Sequence, residues 1–252
     1  MPSIDSNLST WDADSVTFRG QDLTTDVMGE LDFGATLLLL MTGDVPGDGQ
    51  ARLANAMLDS LMVHGMTAHA VAARLTYRSD PSLQGAVASG LLGVGSNFVG
   101  SMKECAEVLQ AVEAAADQDG IVRETVDTYR EAGDPFPGIG HRFHEPVDPR
   151  AERLLGIAEE EGLSGPHPTH LRAIQSEFEE RLGLDLPVNI TGAIAAVSSD
   201  MGLPPTAARG FAVVSRAGGL VAEVLEEERS PVSGDIVAAV EENFEYTGPS
   251  PE

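Results

Sequence analysis

Residues 133–149 interrupt the chain more firmly than any other stretch, because four of its fifteen prolines, Pro135, Pro137, Pro146 and Pro149, fall here between helix-patterned flanks. Proline removes a backbone donor and clashes with the preceding helical turn, so no helix crosses the segment. A long irregular connection between helices is costly to order unless it has a job. Inside it, Gly138 and Gly140 flank Ile139, and His141 and Arg142 follow directly. Two glycines around one apolar residue let main chain approach a ligand closely, where successive N–H groups can cradle phosphate or adenine groups. His141 then stands at the mouth of that site. Asp148 before Pro149 is the pattern of a helix cap, which holds Arg150 at the first turn with its guanidinium available to a carboxylate.

The flanks read as helices. Asp32 can cap a helix carrying Phe33, Ala35, Leu37, Leu38 and Met41, with Gly43 ending it and Pro46 beyond. Apolar spacing predicts further helices over 50–63, 68–75, 101–117 and 120–132, and after the loop over 149–161, 167–183, 188–201, 205–215 and 217–229, with one more in the tail from Gly234. Residues 81–94 are small and apolar on nearly all sides, which predicts a helix buried in the middle of the protein or at a subunit interface. Only 11–20, alternating around Val16 and Phe18, suggests a short extended segment or hairpin. No strand-helix alternation of a doubly wound sheet and no 20- to 50-residue repeat is present. The fold class is all-α.

Composition sets the setting. Lys+Arg total 15 against 40 Asp+Glu, a formal charge of -25, and Lys103 is the one lysine. Such a field repels phosphate backbones and argues against nucleic acid as a partner. An acidic, lysine-poor surface instead suits hydration in concentrated salt. Cys105 is alone, so no intramolecular disulfide or cysteine zinc site is expected, and the six histidines show no convincing metal-ligand spacing with carboxylates, so no metal is expected. Residues 1–14 are polar and acidic, unlike a signal peptide, and no apolar run approaches the ~20 residues that span a bilayer. The expectation is a cytoplasmic protein with no membrane partner.

Pro137-Gly138-Ile139-Gly140-His141-Arg142 followed by Asp148-Pro149-Arg150-Ala151 resembles the Gly-x-Gly-His-Arg and Asp-Pro-Arg of citrate synthases and of the citryl-CoA lyase module of ATP-citrate lyase. The resemblance implies that Gly138, Ile139 and Gly140 meet coenzyme A, that His141 bonds the carbonyl or hydroxyl oxygen of the four-carbon acid, and that Arg150 binds a carboxylate. Three further stretches agree in order, two of them with the family's residues at the site. Val63-His64-Gly65-Met66-Thr67 resembles the family's Asp-His-Gly, whose histidine touches substrate, while His69 reads as structural. Val214-Ser215-Arg216-Ala217-Gly218-Gly219 resembles Ser-Arg-Ala-x-Gly, which makes Arg216 a second carboxylate anchor. Two arginines suit a dicarboxylic or tricarboxylic acid.

Two positions depart from the family. Where synthases carry Gly-Pro-x-His-Gly-Gly-Ala, residues 93–101 put Phe98 in place of the histidine, and the lyase module also has phenylalanine there. In Leu186-Pro187-Val188-Asn189-Ile190-Thr191-Gly192, similar to the module's Asn-Val-Asp-Gly, Thr191 replaces the aspartate that exchanges a proton with the acetyl methyl carbon. Asn189 to Thr191 also matches a glycosylation sequon, read here as chance. The resemblance implies a citryl-CoA lyase-like enzyme acting on a coenzyme A thioester. The alternatives are citrate synthase-type condensation and a CoA-binding regulatory or scaffold homologue that lacks the base. It further implies a large helical domain over 1–120 and 185–252, a small domain over 121–184, and a homodimer through a helical interface.

Overall fold

The computed structural model describes residues 4–95 and 100–249. Among them the chain forms a three-stranded antiparallel ribbon, β1 (Ser9–Trp11), β2 (Val16–Phe18) and β3 (Gln21–Asp22), then a single π turn, Leu23–Val27, and eleven helices. The extended segment expected at 11–20 is thus part of a small sheet, and the rest of the architecture is helical.

Local chemistry accounts for several helix ends. In α1 (Phe33–Thr42) the Asp32 carboxylate accepts from the Ala35 N–H and Gly43 closes the helix in the left-handed region, as the sequence predicts. Then come α2 (Asp48–Asp59), α3 (Ala68–Ser79), α4 (Leu83–Gly95), α5 (Ser101–Ala114), α6 (Gln118–Ala132), α7 (Pro149–Glu160), α8 (His167–Leu182) and α9 (Ile190–Asp200). The two helices expected over 205–215 and 217–229 are one, α10 (Pro205–Arg229), followed by α11 (Ser233–Glu242). Gly218 and Gly219 weaken intrinsic helix preference there, and packing overrides it.

Packing density divides the chain into two compact units: Met1–Leu61 with Ser96–Ser215, and Met62–Gly95 with Arg216–Glu252. In the first unit α9 is the centre. Residues 192–199 are buried on every side, because Gly192, Ala193, Ala195 and Ala196 let α5, α7 and α8 pack closely around Ile194 and Val197. In the second unit Ala73, Ala86, Leu220 and Val224 form the core. The buried Arg74 there pairs with Glu223, Glu226 and Glu227.

The expectation that 81–94 lies buried in the middle of the protein is not met within the chain. α4 buries Ala86, Gly90 and Val94 but leaves Leu92 84% exposed and Leu83 40% exposed. No described helix is long and apolar enough to cross a membrane.

Candidate active site

The proline-rich loop is built against the N-terminus of α9. Gly138 and Gly140 have φ of +101° and +80°. A Cβ on Gly138 would lie 2.7 Å from Gly192 Cα and 2.9 Å from the Cys105 sulfur, so main chain meets main chain here. Ile139 forms an isolated antiparallel bridge with Val188. The Gly140 N–H donates to the Pro187 carbonyl at 2.7 Å, the Ile139 N–H to that of Phe136 at 3.3 Å, and the Asn189 N–H to that of Gly138 at 3.0 Å. The N–H groups of Ile139 and Gly140 are therefore engaged inside the fold. Close approach of loop to helix explains the glycines, rather than a phosphate cradle at those two amides.

Asn189 joins the two elements. Its Oδ1 accepts from the Thr191 and Gly192 N–H groups at 2.9 and 3.2 Å, capping α9, while its Nδ2 donates to the Gly140 carbonyl at 2.7 Å. Sequence reading assigned Asn189 no role beyond a chance sequon. The signal available was an asparagine directly before an apolar helical run. Thr191 sits half-buried in the first turn that Asn189 caps, with a neutral hydroxyl where the family resemblance places a carboxylate.

His141 is oriented by its own loop. Nδ1 accepts from the Phe143 and His144 N–H groups at 3.0 and 3.1 Å. Backbone N–H groups can only donate, so Nδ1 carries the lone pair and the ring proton is on Nε2. That nitrogen lies 3.3 Å from Nη2 of Arg150. Two N–H donors thus meet at one point, an arrangement that suits a shared oxygen of a ligand. The His144 ring stacks obliquely at 4.4 Å, and the Arg142 guanidinium covers Phe143 at 5.2 Å.

Asp148 caps α7 as predicted, with Oδ1 accepting from the Arg150 N–H at 3.0 Å. The same carboxylate binds the Arg150 side chain through Nε at 3.0 Å and Nη2 at 2.9 Å, and accepts from the Ile190 N–H at 3.1 Å. Arg150 therefore faces a carboxylate of its own chain along its Nε/Nη2 edge. Burial pushes the Asp148 carboxyl up, yet the Arg150 bonds and charge and the two N–H donors hold it below the usual aspartate value.

In the second unit His64 lies in the exposed loop before α3. Arg216 is buried on α10, and its Nη1 donates to the Met62 carbonyl at 3.2 Å. Gly219, one turn on, makes room for that same carbonyl, which would stand 1.7 Å from an added Cβ. The arginine is thereby tied to the loop that carries His64. His69 is buried, its Nε2 bonded to the Thr67 hydroxyl at 2.8 Å, in keeping with a structural role. Burial, then the charges of Arg216 and His64, push its pKa down to about 4, so the ring is neutral.

The first unit thus gathers Gly138, Ile139, Gly140, His141, Arg150 and Thr191, and the second holds His64 and Arg216. Phe98 lies outside the described residues. Beside the glycine loop opens a cavity of about 540 Å³, lined by Ile139, Gly140, Phe136, Phe178, Leu186 and Arg130 among others.

Residues 2–236 match the citrate synthase C-terminal domain. The chain belongs to the citrate synthase family. It is similar to citryl-CoA lyase from Hydrogenobacter thermophilus, with 31% identity and a TM-score of 0.88 over 99% of this chain and 96% of that one. It is also similar to the citrate synthase of Haloferax volcanii, 27% identical over 212 residues that make up 83% of this chain and 55% of that one. The chain spans about half the length of the curated synthases it matches. ATP citrate lyase from Methanosaeta concilii, solved with (3S)-citryl-CoA, superposes with a TM-score of 0.81 over 99% of this chain and 42% of its own; at 19% identity that likeness speaks for the fold.

Proposed function

We propose that the protein is a citryl-CoA lyase-like enzyme that cleaves citryl-CoA to acetyl-CoA and oxaloacetate. The observation that carries this reading is the likeness to the Hydrogenobacter lyase, which runs over nearly the whole of both chains. In cleavage the tertiary hydroxyl gives up its proton to water or a substrate carboxylate. The carbon-carbon bond then breaks as that oxygen becomes the ketone of oxaloacetate, and the released enolate takes that proton back at carbon from the same water or carboxylate. His141, protonated on Nε2, acts as a donor to the oxygen on which charge gathers, beside the Arg150 guanidinium. Arg150, Arg216 and His64 hold the carboxylates of the acid, and Gly138, Ile139 and Gly140 meet the coenzyme A portion, whose bulk the adjoining cavity accommodates. Run backwards, the same residues serve citrate synthase-type condensation of acetyl-CoA with oxaloacetate.

Acetyl-CoA release from citryl-CoA in molar salt, measured beside His141→Ala, tests the reading. Turnover that depends on His141 supports it; no turnover, or equal turnover in the variant, sinks it. Thr191 favours a second reading, a CoA-binding homologue that lacks the proton-exchanging base. Tight CoA binding without turnover of any thioester selects that one. The small residues of α4 beside its exposed Leu83 and Leu92 support a homodimer. The charge of -25 supports a cytoplasm rich in salt.

A further inference from the structure

We infer that His144 is the base that takes the proton of the tertiary hydroxyl, in place of water or a substrate carboxylate, an assignment that rests on the proposed function. The hydroxyl oxygen is met by two donors, Nε2–H of His141 and the Arg150 guanidinium beside it. Neither can accept its proton. The lone pair of His141 is on Nδ1, which is turned to the Phe143 and His144 N–H groups. A hydroxyl held by two donors still has to lose its own proton to an acceptor as the carbon-carbon bond breaks. The other polar side chains that the first unit brings to this place are committed or unsuited. Asp148 holds Arg150 and the Ile190 N–H with its two oxygens. The Asn189 oxygen caps α9, and the hydroxyl of Thr191 is no base near neutral pH.

His144 lies half-buried in the same loop, three residues after His141. The two rings stack with centroids 4.4 Å apart and planes at 33°, and a ring nitrogen of each lies within 4.8 Å of one of the other. Two nitrogens at that separation can both stand ~2.8 Å from one oxygen, at an angle no wider than roughly 118°, which suits a hydroxyl that accepts from one and donates to the other. The loop holds this spacing, because the backbone N–H of His144 is itself bonded to His141 Nδ1 at 3.1 Å. Imidazole is also the side-chain base that takes up and releases protons near neutral pH. In cleavage the hydroxyl proton passes to His144, and the electron pair of the carbon-carbon bond passes to the thioester enolate as the oxygen becomes the ketone. His141 and Arg150 donate to that oxygen throughout. The His144 imidazolium then gives its proton to water, from which the enolate takes one at carbon, since Thr191 offers no carboxylate to carry it there.

The test is acetyl-CoA release from citryl-CoA by the full chain, comparing wild type with His144→Ala and His144→Phe, each with and without added imidazole. Phenylalanine keeps a ring against His141 but has no nitrogen, so it separates stacking from proton transfer. Both variants are expected to bind CoA within about threefold of wild type and to lose ~10²-fold in kcat, the usual worth of a positioned base. Added imidazole should recover roughly tenfold of that loss in His144→Ala, where the missing ring leaves room for it, and should not speed wild type. Recovery by a free base is a response that a packing role does not produce. If wild type turns over and either variant keeps its rate, the assignment is overturned while the functional reading stands. A loss confined to KM, or one in His144→Ala that imidazole does not recover, overturns it in the same way. Absence of turnover in wild type removes both.

Discussion

Asp148 grips Arg150 with both carboxylate oxygens, Oδ1 on Nε at 3.0 Å and Oδ2 on Nη2 at 2.9 Å, while fully buried at the start of α7. The cap and the ion pair are therefore one interaction, so the helix start and the guanidinium cannot be disturbed separately. Asp148→Asn leaves the arginine without its counter-charge in a buried setting, and we expect a loss of about 3 kcal/mol, typical of breaking one partner of a buried pair. The folded-state pKa of Asp148 is depressed, so its contribution is present above the unfolded value of ~3.9 and is lost as pH falls through the folded one. Urea unfolding across that acid range should show a steeper loss in wild type than in Asp148→Asn. Matching slopes would place the acid sensitivity elsewhere.

The two glycines of the loop are not equivalent, although the sequence presents them as a pair. Gly138→Ala must adopt a φ of +101° and place a methyl group 2.7 Å from Gly192 Cα, backbone that has no room to retreat. Gly140→Ala carries the φ penalty at +80°, but its nearest neighbour is Leu186 at 4.0 Å. Thermal unfolding should rank them, with Gly140→Ala costing ~1 kcal/mol and Gly138→Ala two to three times as much, about 3 kcal/mol. Equal costs would show that helix α9 can shift away from the loop.

His69 should make the protein sensitive to mild acid. Its folded pKa, about 4, lies below the unfolded value of ~6.5, so the unfolded chain binds the proton more readily. The stability held by the neutral ring is complete above pH ~6.5 and is lost as pH falls toward 4. His69→Asn, which keeps a polar group but cannot charge, is expected to flatten the fall in Tm between pH 7 and pH 5. An unchanged slope would mean that another group carries the titration.

Legibility in the sequence followed how local the cause was. Asp32 and Gly43 bound α1 by contacts within four residues, and Asp148 before Pro149 announced α7 in the same way. The continuity of α10 across Arg216 was illegible because Gly218 and Gly219 read locally as a break, whereas the close packing that Gly219 allows is against the Met62 carbonyl, far away in sequence. Of the two places expected for 81–94, the middle of the protein is taken by 192–199 instead. Both runs are small and apolar, and only the helices that pack around each one decide which is central. At the site, motif spacing named His141 and Arg150, but the direction of His141 depends on two N–H groups of the loop that spacing does not encode. Asn189 was hidden for a similar reason, since its side chain serves the helix it starts and a loop that lies 49 residues earlier.

Thr191 is the position on which turnover should hinge. It occupies the first turn of α9, where Asn189 already caps the Thr191 and Gly192 amides. A carboxylate introduced here lies at the positive end of the helix dipole, which keeps it ionised near neutral pH and compatible with the fold. An ionised carboxylate can exchange a proton with a carbon acid, which a hydroxyl of high pKa cannot do, and such a base is worth ~10² to 10⁴ in rate. Thr191→Asp is therefore expected to raise acetyl-CoA release from citryl-CoA by at least ~10²-fold, with CoA affinity changed less than about threefold. Single-turnover measurements separate the chemical step from binding. A gain in rate at constant affinity identifies the missing base as what limits the natural chain. Unchanged turnover in Thr191→Asp, with CoA still bound, means that proton exchange at this helix end is not the limiting step.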